Sequence, residues 1–181
     1  MLVVNDDRSW AEYVNRFHLQ YIRGFMWHDI KAAIDGKANF LAALGLVNYT
    51  EILGALSQGT LRNEGKPNRD KFEAFFQYMG QDYKDLLNND PNIYRKLRNK
   101  LTHEYFAYTI GTIAMESSTP LLTGIILGTG GDVSIVVQRY FEDLQLGAER
   151  YFARLSESGY SSPISQDFRK CFPAGLIQVT R

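Results

Sequence analysis

Cysteine is almost missing from this sequence. Cys171 is the only one in 181 residues, which excludes an internal disulfide and any zinc site built from several thiolates. Histidine is scarce as well. His18, His28 and His103 show none of the short spacings of zinc ligands. His103-Glu104 opens like a zinc-protease helix, but Ala107 stands where the second histidine would be needed. No metal and no other cofactor is expected. An excess of charge is lacking too: Lys+Arg and Asp+Glu number 20 each, so no global field draws nucleic acid and any anion site has to be a local patch. Long apolar runs are absent. The most apolar windows, Phe40–Val47 and Leu121–Gly128, fall well short of the roughly 20 residues that span a bilayer. Met1–Arg8 carries acids and no apolar signal core. The expectation is a soluble, cytoplasmic protein without a membrane partner.

What is present is helical periodicity. Trp10, Tyr13, Val14, Phe17, Tyr21, Ile22, Phe25 and Met26 predict a helix over Ser9–Ala33, with Ser9 as N-cap and Glu12 completing a capping box. Asp35-Gly36-Lys37 is a turn. A second helix follows over Ala38–Leu56, where Gly45 and Gly54 predict close helix–helix approach. Gln58–Asn68 reads as a loop, and a third helix covers Asp70–Leu87. Asp90-Pro91 breaks it: Asp90 caps the next helix and Pro91 suits its first turn. That helix contains Tyr94–Tyr105, with Tyr94, Leu97 and Leu101 as core anchors. Then β-branched runs appear. Leu121–Leu127 and Val133–Val137 predict a β-hairpin, and Thr109–Met115 a third strand. Gly128–Asp132 lacks the Lys-Ser/Thr of a phosphate-binding loop and reads as the hairpin turn. A final amphipathic helix runs over Gln138–Leu155. The reading is one mainly α domain over residues 1–157, an antiparallel helical bundle with a small β insert at about 109–137, and a C-terminal tail over 158–181.

Candidate chemistry concentrates on the fourth helix. Arg95, Lys96, Arg98 and Lys100 put four cations into about two turns. A guanidinium can hold a phosphate by bidentate hydrogen bonds, and the imidazole of His103 can move protons near neutral pH. The Arg-x4-His pair is not specific by itself, because Arg23 and His28 repeat it. Arg98 alone is followed by Asn99 and has a tyrosine, Tyr105, two residues beyond its histidine. Arg23–His28 is accordingly read as a decoy, buried or half-buried in the first helix.

The pattern R-N-x-x-x-H-x-Y at Arg98-Asn99-Lys100-Leu101-Thr102-His103-Glu104-Tyr105 resembles the HEPN superfamily, and within it the HEPN toxins paired with minimal nucleotidyltransferase antitoxins. The resemblance implies a HEPN-like helical bundle, a homodimer, and metal-independent endoribonuclease activity on RNA in a composite site at the dimer interface. Arg98, Asn99 and His103 would be catalytic, with Arg95 and Lys100 adding phosphate-binding charge. Tyr105 would be the regulatory tyrosine to which a nucleotidyltransferase-type antitoxin attaches AMP. The other reading is a non-catalytic HEPN-like module that binds nucleotide, RNA or a protein partner. Neutral net charge, about seventy residues after the motif, and aromatics expected to be exposed such as Tyr140, Tyr151 and Tyr160 point that way.

Overall fold

The computed structural model describes residues 6–62, 65–103 and 112–172 and, within these, the side chains of all but 99, 100, 102 and 103. The first helix begins before Ser9. Asp6 is the N-cap: its Oδ1 accepts from the Ser9 N–H at 2.8 Å, and the Asp6 N–H donates to Ser9 Oγ at 3.1 Å. The capping box is therefore Asp6/Ser9 rather than Ser9/Glu12. A carboxylate is the stronger acceptor at the positive end of a helix.

This helix is not uniformly α. Helix α1 (Asp7–Phe17) passes into a ten-residue π-helical segment (His18–Trp27) and then into α2 (His28–Asp35). The buried stripe explains the winding. Trp10, Val14, His18, Ile22, Met26 and Ile30 recur every fourth residue, and all are buried. At about 100° per residue, each four-residue step in an α-helix overshoots a full turn by about 40°. In a π-helix, with hydrogen bonds five residues apart and about 4.4 residues per turn, the same step falls short by about 30°. The π segment cancels the drift and holds one stripe on the core.

After the turn at Lys37, which takes a positive φ of 55°, helix α3 (Asn39–Ser57) runs through the middle of the fold with eleven of its nineteen residues buried and Leu41 and Ile52 reaching solvent. By length and composition α3 could cross a membrane, an apolar stretch longer than the windows read from the sequence. Here it is the central core helix. Helix α4 (Asn68–Met79) packs most closely on it. Gly54 makes that approach: a Cβ there would lie 1.7 Å from the Lys71 carbonyl oxygen. The helix expected over Asp70–Leu87 is two helices. It breaks at Gly80, whose φ of 123° no L-residue takes without strain, and α5 (Gln81–Asn89) begins immediately after it. Arg150 Nη1 donates to the carbonyls of Tyr78 and Met79 at 3.1 and 3.2 Å and so satisfies the end of α4.

Helix α6 (Ile93–His103) follows, held at its start by Asp90, which accepts from the Asn92 N–H at 3.0 Å and from Lys96 Nζ at 2.7 Å. Three short strands come next: β1 (Ile113–Ala114), β2 (Ile125–Leu127) and β3 (Val133–Val136), in sheet order β1-β3-β2. The hairpin β2–β3 is antiparallel and closes at Gly128–Asp132 as expected. The third strand pairs parallel to β3. A buried polar clasp ties the insert to the helices. Asp143 Oδ2 accepts from Tyr83 Oη at 2.7 Å and from the Gly124 N–H at 3.0 Å, while Arg139 Nη2 meets Asp143 Oδ1 at 2.9 Å.

Helix α7 (Val137–Glu157) is the longest of the described helices, and its Tyr140 and Tyr151, expected to be exposed, are fully buried because they lie on its core-facing side. It is not the last helix. Residues 163–170 of the segment read as a tail form α8 (Pro163–Lys170), capped by Ser162 with Pro163 in its first turn. Phe168 is fully buried, its ring edge-on to Trp10 and Phe17. An eight-residue helix shows too little periodicity to stand out in a Ser- and Pro-rich stretch. The fold is mainly α, with a small three-stranded sheet between α6 and α7.

Candidate functional site

Leu97 and Leu101 sink into the core and fix the rotation of α6. The helix lies on α3, α4 and β3, which turns its Tyr94–Arg98 side toward α3. There a polar cluster forms. Arg98 Nη1 donates to Asn48 Oδ1 at 2.9 Å, Arg98 Nε lies 3.7 Å from Glu51 Oε1, and Tyr94 Oη donates to that same oxygen at 3.1 Å. Two residues three apart on α3 thus meet two residues four apart on α6, the spacings that place side chains on one helix face.

The electrostatics are set by burial. Glu51 is 8% exposed, and desolvation raises its carboxyl above the ordinary value, with Arg98, Tyr94 and Lys71 pulling the other way. The Tyr94 phenol is pushed up to about 12, first by burial and then by the Glu51 charge, so it stays a hydrogen-bond donor at neutral pH. The Arg98 side chain keeps 31% of its surface open. A guanidinium aimed by two partners and still accessible can receive a phosphate oxygen.

Of the residues singled out in the sequence, the structure places Arg98 at this seam and Arg95 on the exposed surface of the same helix. The side chains of Asn99, Lys100 and His103, and all of Tyr105, lie outside the described residues. Asn48 and Glu51 were missed. They sit about fifty residues from Arg98 in the sequence, too far for a local pattern to pair them with it. The available signal was their polarity, since Asn48-x-x-Glu51 interrupts an otherwise apolar helix and buried polar groups need partners.

The pair read as a decoy is placed differently from expectation. Arg23 and His28 are exposed, not buried, because the buried stripe of the first helix passes through Ile22, Met26 and Ile30 instead. Of the two histidines in this stretch the buried one is His18, stacked on Phe152 at 4.6 Å with its Nε2 3.6 Å from Glu149. Among the described residues, no three His, Cys, Asp or Glu side chains gather as a metal site.

Comparison with known proteins supplies no relative: no family model, no curated protein and no solved structure matches the chain.

Proposed function

We propose that the protein is a HEPN-like, metal-independent endoribonuclease that works as a homodimer. The observation that carries the reading is the motif Arg98-Asn99-x-x-x-His103-x-Tyr105, whose arginine stands accessible and oriented at the α3–α6 seam. In this reading Arg98 binds the scissile phosphate and stabilises the charge that grows on it. His103 moves a proton from the ribose 2′-hydroxyl or onto the leaving 5′-oxygen, and Asn99 orients phosphate or imidazole. The 2′-oxygen bonds to phosphorus as the 5′-oxygen leaves, so DNA is not a substrate. Arg95 and Lys100 add phosphate-binding charge, which a twofold axis doubles. A toxin role, with Tyr105 silenced by an antitoxin that attaches AMP, belongs to the same reading. An adduct of AMP mass on Tyr105 after co-expression with a partner nucleotidyltransferase would support it.

The test is RNA cleavage in EDTA by the wild type, Arg98→Ala and His103→Ala, with folding checked by circular dichroism and dimerisation by solution mass. The expected outcome is cleavage by the wild type, loss of at least a hundredfold in each variant, and no cleavage of DNA. Absence of wild-type cleavage, or equal cleavage by both folded variants, overturns the catalytic reading.

One observation favours the non-catalytic module instead: Arg98 is already held by Asn48 and Glu51 within its own protomer, as a structural clasp would be. If so, Arg98→Ala lowers stability and the wild type leaves RNA intact.

A further inference from the structure

On another part of the surface, a cleft of about 570 Å³ opens between the π segment with α2 on one side and α7 on the other. It shares no lining residue with the Arg98 cluster. One wall presents Arg23, His28 and Lys31, and the facing wall presents Gln138, Glu142 and Gln145. Between them lie Trp27 and Phe141, packed edge-to-face with ring centroids 5.6 Å apart. The winding builds this wall. In an α-helix, residues five apart point about 140° away from each other, whereas at π winding the separation falls to about 50°. Arg23 and His28 therefore open into one cleft.

We propose that this cleft binds a nucleoside monophosphate. Its size is that of a small-ligand site, and its polarity runs crosswise. Cations and an imidazole come from one wall for a phosphate. A carboxylate and two amides come from the other for the hydrogen-bonding edge of a base; Gln138 already gives its Nε2 to Glu116 at 2.9 Å and so brings its oxygen. Phe141, half-buried and backed by the nearly buried Trp27, supplies an aromatic floor for the flat ring. Glu149 takes Nε and Nη2 of Arg23 and so fixes the guanidinium at the cleft edge. The charges opposing a phosphate here are Asp35, Glu142 and Glu149; Asp35 is one turn from Lys31 on α2, Glu142 stands on the base-reading wall, and Glu149 is paired with Arg23. His28 and Lys31 are exposed, with no ion pair among the described residues. They are the groups left to meet the phosphate.

The full-length protein is titrated with AMP, adenosine and inorganic phosphate, reading tryptophan fluorescence and heat. Trp27 lines the cleft, while the other tryptophan, Trp10, is fully buried elsewhere. AMP should bind saturably and perturb the emission, with adenosine and phosphate each at least tenfold weaker. His28→Ala and Lys31→Ala, both surface changes, should each weaken AMP about tenfold, and Arg98→Ala should leave its affinity unchanged. No saturable AMP binding at millimolar concentration overturns the proposal, as does unchanged affinity in the His28→Ala/Lys31→Ala double variant. Loss of binding in Arg98→Ala alone would move the ligand to α6 and overturn it equally. The ribonuclease reading stands or falls separately, since its variants lie on another helix.

Discussion

At the scale of single residues, charge and burial are at odds at His18. It is 7% exposed, and desolvation lowers its pKa from the ordinary 6.5; Glu149 opposes the shift and Arg23 adds to it. A histidine whose folded pKa is lowered stabilises the fold above the unfolded value and gives that stability up as pH falls through 6.5 toward the folded pKa. Wild type should therefore lose stability between pH 7.5 and 5.5. His18→Phe, which keeps a ring against Phe152, should lose less. Thermal unfolding of both proteins across that window tests this; parallel pH curves would refute it. Arg98 illustrates how far single residues were legible. The motif singles it out, and its proposed role as a phosphate ligand rests there, but its partners Asn48 and Glu51 come from another helix, and no local pattern pairs positions fifty residues apart.

At the scale of elements, most helices declared themselves through apolar spacing. α3, α7 and the hairpin lie close to where periodicity and the Gly-rich turn put them. The break between α4 and α5 did not, because Phe72, Phe75, Phe76, Met79 and Tyr83 keep helical spacing straight across it. Backbone conformation makes that break, and apolar spacing does not report it. Gly80→Ala should accordingly cost roughly 1–3 kcal/mol, the cost of forcing a Cβ into a sparsely allowed region. Gly128→Ala is the control. There a Cβ would meet only Asp132 atoms at 3.5 Å or more, and the change should stay within about 0.5 kcal/mol. Urea unfolding of the two variants measures both, and equal losses would refute the assignment. The π segment was half-legible: strict four-residue recurrence of buried positions from Trp10 to Ile30 is too long a period for an α-helix and too short for a π-helix, as a helix that mixes the two should show.

At the scale of the whole molecule, the described residues after Glu157 contribute to the core through Phe168 and Cys171. Phe168 closes an aromatic group with Trp10, Phe17, Phe152 and Phe172, so the two ends of the described chain are packed together. Phe168→Ala should destabilise the protein by roughly 3–5 kcal/mol, as removal of a buried phenyl ring does, and unfolding should remain a single transition. A loss under about 0.5 kcal/mol, the range of a surface change, would mean that α8 is a dispensable appendage after all.

The wide winding of the first helix also bears on how relatives of this protein would align. Ten residues at π winding make about 2.3 turns, nearly the rotation of eight residues at α winding, about 2.2 turns. A homologue two residues shorter between positions 18 and 27 would keep α1 and α2 in phase as a plain α-helix, with the same core stripe. The difference would appear as a gap in the middle of a helix, where gaps are ordinarily penalised. It would also change which side chains share the cleft wall, so insertion length there would sort descendants of one fold into those with the Arg23–His28 arrangement and those without it.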